Sequence, residues 1–320
     1  MTKPLVTFAL FAYNQERYIR EALAGALAQT YSPLQIILSD DNSTDRTFEI
    51  MREVASQYHG PHQILLNRNE SNQGIGMHVN KVMSLAEGEF IVVAAGDDIS
   101  LPERTTVLVE KWIELGRGAL SIHTSLWQID EAGHDLGIRR PVPKKSFFVS
   151  GGIIGASHGW SKKLFDRFGD LVPGLYIEDQ AVGFRALLLD GLFFIDLPLV
   201  KYRVGGISLP SFDRASSFRR WLEWGVLTEQ HLLDIKKLAN PDPSLLQKLG
   251  DRVNDYKILQ ELSHSPRPFQ TLWLHRKSAT PFLLNHALKY IAPRLSQAIW
   301  AIHHRELIKG LEKNSSKANN

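Results

Sequence analysis

IILSDDNSTDRT, residues 36–47, joins an apolar run to two adjacent carboxylates, Asp40 and Asp41. A turn of Asn42, Ser43 and Thr44 follows, and then a third acid, Asp45, at what reads as a helix start. Adjacent carboxylates repel, so a pair at the mouth of a buried strand needs a reason. The same arrangement recurs in EFIVVAAGDD, residues 89–98, where a continuously apolar run ends in Asp97 and Asp98. Leu5–Phe11 and the run HQILLNR also read as strands. Helical spacing connects them, in NQERYIREALAGALAQ with Asn14 as N-cap, in a segment from about Asp45 to Tyr58, and in GMHVNKVMSLAEG ending at Gly88. Strands alternating with helices imply an α/β fold with a mostly parallel sheet. Ligands of such sheets bind beyond the carboxyl ends of the strands, where both acid pairs lie.

The wider composition fits a folded enzyme or binding domain. In 320 residues, 43% are hydrophobic and 22% charged, and cysteine is absent. That excludes a disulfide framework and any cysteine-based metal site or nucleophile, and suits the cytoplasm. The N-terminus reads as a first strand and not as a signal peptide. No window offers the run of about 20 apolar residues that a spanning helix needs. The net charge of +3 is uneven, since residues beyond 210 carry 17 of the 37 Lys and Arg but 10 of the 34 acids. Between Glu261 and Glu306 there is no acid.

The middle of the chain reads as a helix near 103–115, a strand near 119–129, a basic loop RRPVPKK, an amphipathic helix in IEDQAVGFRALLLDG, and a late strand pair or edge in LFFIDLPLVKYRV. A boundary is expected near 210. The expected organisation is a catalytic domain over 1–210, with a ligand half over about 1–100 and a second half over about 101–210. A helical basic region over 211–310 and a disordered tail over 311–320 complete it.

Two acid pairs converging on one sheet edge call for a cation or for hydrogen-bond donors. Mg²⁺ or Mn²⁺ suits carboxylate and phosphate oxygens. A dinucleotide fingerprint and a Walker loop are both missing: LVTFALFAYNQ has no glycine-rich turn, and NQGIG follows the third strand. The twelve histidines show no metal-ligand spacing.

In order along the chain, TFALFAYNQERYIREALAGALAQTY, IILSDDNSTDRT, NQGIGMHVNKVMSLAEGEFIVVAAGDD and YIEDQAVGFRALLLDG resemble the motifs of family two glycosyltransferases. The likeness runs from about residue 4 to 208. It implies a GT-A fold, a Rossmann-like mostly parallel sheet flanked by helices, with a helical C-terminal appendage here. It also implies an inverting, metal-dependent transfer of a sugar from a UDP- or dTDP-linked donor to an acceptor hydroxyl, in bacterial surface polysaccharide or glycolipid synthesis. By the resemblance, Phe11, Tyr13 and Asn14 meet the nucleotide base, though Tyr13 as a core aromatic remains open. Asp41, with Asp40 beside it, accepts from base or ribose, and Asn80 belongs to the donor site. Asp97 faces ribose or stands behind the metal's ligands, and Asp98 holds the metal. Asp179, within Glu178-Asp179, is the general base; without the resemblance, the pair reads as acids favouring a helix N-terminus. Asp45 reads as a helix cap. Trp160 is either an acceptor or sugar platform or a core residue. KYRVGGIS lacks the histidine usual there, which leaves Arg203 for phosphate, and Val79 stands where many relatives carry arginine.

Basic side chains with Trp273, Phe282, Tyr290 and Trp300 suit an anionic membrane surface; the resemblance implies a saccharide or polyprenyl-linked acceptor, and with it peripheral attachment at the inner face of the plasma membrane. A helical appendage that packs on the catalytic domain or forms a homodimer is the alternative, and no nucleic-acid module is present. A sugar-nucleotide nucleotidyltransferase and a non-catalytic nucleotide-sugar binder are the rival functions. The first lacks its Arg-containing glycine loop, and the second has no use for Glu178-Asp179.

Overall fold

The structure is a computed structural model and describes residues 3–140, 153–205, 214–278 and 280–287, with side chains in the helix that opens at 214 described from 223 onward. Four parallel strands form its first half: β1 (Val6–Ala12), β2 (Leu34–Asp40), β3 (Gln63–Arg68) and β4 (Phe90–Ala95). β1 is central, pairing Val6 with Leu34 on one side and with Phe90 on the other. Because side chains alternate along a strand, β1 serves two cores. Phe8 and Leu10 face one cluster, and Ala9 and Phe11 face the other. This is why its seven residues are all buried.

On the first face, Ile19, Leu23 and Ala26 of α1 (Ile19–Leu27) meet Ile50 and Met51 of α2 (Thr47–Ser56). Leu108 and Trp112 of α4 (Arg104–Glu114) complete that cluster. On the second face lie Val79, Val82 and Met83 of α3 (Ile75–Leu85). Gly25 explains how α1 comes so close to the two-residue strand β5 (Ile99–Ser100), since a Cβ there would meet the Ser100 carbonyl oxygen at 2.7 Å.

The second half departs from the expected pattern. β6 (Ser121–Ile129) and β9 (Leu192–Arg203) run parallel to each other, but β8 (His158–Ser161) inserts between β4 and β6, antiparallel to both. The sheet order is β3-β2-β1-β4-β8-β6-β9-β5, with β7 (Asp135–Arg139) on β6. HGWS is too short and too mixed to announce a strand; pairing on both edges makes it one. The 3-10 turn Gly155–Ser157 precedes it, and α5 (Lys163–Phe168) and α6 (Glu178–Leu187) follow.

The expected boundary at 210 lies outside the described residues, as do the tail over 311–320, Tyr290, Trp300 and most of the RRPVPKK loop. α7 (Arg214–Lys236) packs on α6, and its Leu227 is buried in the second core. α8 (Pro243–His264) is capped by Asp242, whose side chain accepts from the Ser244 N–H, and α9 (Pro268–Leu274) follows. Ile258, Leu259 and Leu262 of α8 close a small cluster with Leu283 and Ala287 of a helical segment at 281–287.

Candidate functional site

The carboxyl ends of β1, β2 and β4 carry the first half of the site. Asp41 follows β2 and is buried. Its carboxylate accepts from Asn69 Nδ2 at 2.7 Å, from the Gln73 N–H at 3.0 Å and from the Gly74 N–H at 2.9 Å. A carboxylate has about four acceptor positions, so one remains for a ligand N–H. Under it, His78 Nε2 lies 2.6 Å from Ser39 Oγ, which accepts from Asn67 Nδ2, and burial lowers the His78 imidazole to about 4. A neutral His78 therefore lies behind Asp41 without adding charge.

Several residues expected at the donor site are also held by the scaffold. Asp40 is fully buried, and its carboxylate accepts from the Ser43 N–H and hydroxyl and pairs with Arg68 at 3.5 Å; it closes the turn after β2. Phe11 is a core residue, edge-on to His78, so the exposed Tyr13 is the aromatic that β1 offers to solvent. Asn80 is committed at both ends of its side chain to the Leu171 backbone, at 2.8 and 2.9 Å, which pins the loop before α6. Asn14 does not cap α1, which starts at Ile19. It takes a φ of 51°, and its Oδ1 accepts from the Thr44 N–H, tying the β1 and β2 loops together. Asp45 lies one residue before the N-cap of α2, Arg46, and accepts from the Thr47 N–H at 2.9 Å.

Asp97 and Asp98 lie in the turn that follows β4. Burial, and then the charge of Asp97, push the Asp98 carboxyl well above the usual carboxylate range, and burial raises Asp97 too. Asp98 Oδ1 accepts from the Arg203 N–H at 2.8 Å. The two nearby guanidiniums are spent elsewhere. Arg203 donates to the carbonyls of Asp97, Asp130 and Glu131 and to Glu21, so it braces the loop and is not open to a phosphate. Arg104 donates to Ser100 and to the carbonyls of Val93 and His158. Two buried carboxylates without a direct side-chain counter-ion fit a divalent cation. Among the described residues no group of three or more His, Cys, Asp or Glu stands ready to hold one. Oxygens from a bound substrate would have to complete its shell, as Mg²⁺ and Mn²⁺ sites commonly require.

The third acid pair, Glu178-Asp179, opens α6. Asp179 accepts from the Gly155 N–H at 3.1 Å and from the Gln180 N–H at 2.7 Å. Burial raises Asp179 to about 6, while burial and then the charge of Asp179 raise Glu178 to about 8. Tyr202 ties the halves of the site together. Burial, then the charge of Asp98, raise its phenol against the opposing charge of Arg139, and its ring packs with Ile154 and Ala156, on either side of the Gly155 that donates to Asp179. Trp160 takes no part: it is 1% exposed, packs near Phe165, and donates its indole N–H to Met83 Sδ at 3.4 Å. Of the two readings of Trp160, this burial fits the core residue. An exposed aromatic does stand beside the site, Tyr176, near Gly74 and two residues before Glu178.

Gly155 is a site residue that sequence reasoning missed. A Cβ there would meet Glu178 Oε1 at 3.0 Å and Asp179 Cβ at 3.6 Å. Gly155→Ala is expected to displace the acid pair by a few tenths of an ångström and lower turnover about tenfold, with unchanged far-UV circular dichroism. Full activity in that variant would show that the pair tolerates displacement.

Residues 7–152 match the model of the glycosyl transferase family 2. A Bacillus subtilis (strain 168) protein assigned as the glycosyltransferase EpsE is 33% identical over 130 residues, which cover 41% of this chain and 46% of that protein. The fold matches that of S. aureus TarS 1–349, solved in complex with UDP-GlcNAc, with a TM-score of 0.57 at 16% identity over 87% of this chain and 82% of that one. It also matches the mannosyltransferase PcManGT of Pyrobaculum calidifontis, solved with GDP-Man and Mn²⁺, with a TM-score of 0.52 at 18% identity over 93% of this chain and 81% of that one. Residues 7–152, a little under half of this chain, are thus similar to glycosyl transferase family 2, and the fold is of the GT-A type.

Proposed function

We propose that the chain is an inverting glycosyltransferase that moves a sugar from a UDP- or dTDP-linked donor to an acceptor hydroxyl, in surface polysaccharide or glycolipid synthesis. The observation that carries this is that the Asp97-Asp98 and Glu178-Asp179 pairs both border the end of β9: Asp98 accepts from the Arg203 N–H, and Asp179 accepts from Gly155, whose neighbours Ile154 and Ala156 pack in one cluster with Tyr202. Nucleotide sugars in the TarS and PcManGT structures support the donor class, and Mn²⁺ in the latter supports Mg²⁺ or Mn²⁺ at Asp98.

In this reading, Tyr13 stacks on the base and the free acceptor position of Asp41 takes an imide N–H. A divalent cation, when bound, neutralises the diphosphate leaving group. Asp179 takes the proton from the acceptor hydroxyl as that oxygen bonds to the anomeric carbon. The bond from that carbon to the diphosphate oxygen breaks, and its electron pair leaves with the phosphate. Attack opposite the leaving group inverts the anomeric centre and needs no covalent intermediate. A saccharide or polyprenyl-linked acceptor would place the enzyme at the inner face of the plasma membrane, held peripherally.

Thermal shift with UDP, dTDP, GDP and CDP, each with and without Mn²⁺, tests the donor site. A ligand that binds only the folded state raises its melting temperature by mass action. The expected result is a Mn²⁺-dependent rise with UDP or dTDP that is lost in Asp98→Asn. A rise with none of the nucleotides would overturn the donor assignment.

A further inference from the structure

We propose that α9 and the turn after it form a docking face for an anionic lipid bilayer. Among the described large hydrophobic side chains, Leu274 at 70% and Trp273 at 66% are the most exposed, and Phe269 of the same helix is 47% exposed. No residue of α9 is buried. Phe269 and Trp273 are four residues apart, so they share one face of the helix. Leu272 points the other way, toward the small cluster that α8 closes with the 281–287 segment. The helix thus has an anchored side and a bare apolar side.

Charge selects the occupant. Arg267 precedes the helix and Arg276 and Lys277 follow it, all three exposed, in a stretch with no acid between Glu261 and Glu306. The Arg276 guanidinium lies 4.5 Å over the Trp273 ring and donates to the Trp273 carbonyl at 3.0 Å. An indole body under a cation suits the boundary between acyl chains and headgroups, where tryptophan is enriched and arginine reaches for phosphate. A second copy of this chain would bring the same cations against each other. No described helix is long and apolar enough to cross a membrane. This sharpens the membrane contact proposed above, but it uses a surface separate from the sugar-transfer site, and its test reads lipid binding without activity.

Co-sedimentation of the full chain with phosphatidylcholine vesicles, with and without phosphatidylglycerol, tests it. Binding is expected only with phosphatidylglycerol and is expected to weaken as salt rises. Trp273→Glu with Leu274→Glu should weaken it about tenfold or more, and so should Arg276→Gln with Lys277→Gln, the milder pair should the first disturb folding. Both should keep the nucleotide-induced thermal shift. Equal binding to both vesicle types, wild-type binding by the variants, or a dimer in sedimentation velocity that Trp273→Glu converts to monomer would overturn the proposal.

Discussion

Asp179→Asn is expected to lower kcat by about 10²–10⁴-fold while leaving donor affinity in place. The amide keeps the side-chain shape and can keep one of the two backbone hydrogen bonds, from Gly155 and Gln180, but it cannot take a proton. With Asp179 raised to about 6 and Glu178 to about 8, the first is mostly ionised near neutral pH and the second mostly protonated. That division fits Asp179 as the base. The wild-type rate should rise with pH through about 6, and this limb should vanish in the residual activity of Asp179→Asn. Stability runs the other way. Both acids sit above their ordinary values of 3.8 and 4.5, so the folded chain holds more protons than the unfolded one between those values and about 6 and 8. By linkage, stability falls as pH rises through that window. Glu178→Gln removes its share, so it should melt higher than wild type at pH 8 and no higher at pH 4. Full activity of Asp179→Asn would move the base elsewhere, and an unchanged melting difference across pH would show that Glu178 is not held protonated.

The parts of this site that could be read in advance are those set by local pattern. Apolar runs ending in acids located β2 and β4, and the topology of a parallel sheet then brought Asp41, Asp97 and Asp98 to one edge. What could not be read depends on which long-range partner a side chain meets. Trp160, Asn80 and Arg203 stand at suggestive positions in the chain. An aromatic, an amide and a guanidinium serve a scaffold as well as a ligand, however, and only packing showed that Met83, the Leu171 backbone and the Asp97 carbonyl claim them. Gly155 carries no side chain to advertise its role. Tyr202 lay inside a stretch read for its arginine, and His78 gave no spacing signal because its partner, Ser39, lies 39 positions away.

Arg185→Met should destabilise the fold by about 3–5 kcal/mol, the usual cost of stripping one partner from a buried ion pair. Arg185 Nε donates to Asp234 Oδ2 at 2.9 Å, and both side chains are fully buried. Its other nitrogens donate to the carbonyls of Gly169 and Asp170, and its guanidinium lies 5.3 Å from the Phe165 ring centroid. Asp234 also accepts from Gln230 Nε2, and Gln230 Oε1 accepts from the Val172 N–H at 2.7 Å. One network from α7 therefore fixes both α6 and the loop 169–172 in front of it, and α6 carries the acid pair at its first turn. Removing the arginine leaves Asp234 buried without its counter-charge, whereas replacing both partners, as Arg185→Met with Asp234→Leu, should recover much of the loss, because a buried pair gains little over apolar groups that fill the same space. Chemical denaturation of the two single variants and the double variant measures this directly. The same network bears on where the catalytic unit ends. A chain cut at 210 would lose Asp234 and Gln230 along with the buried Leu227, so it should fold poorly and show no transfer activity. A cut chain that folds and works would mean that Arg185 finds its counter-charge within the first 210 residues, and that α7 is an addition to the catalytic domain and not a part of it.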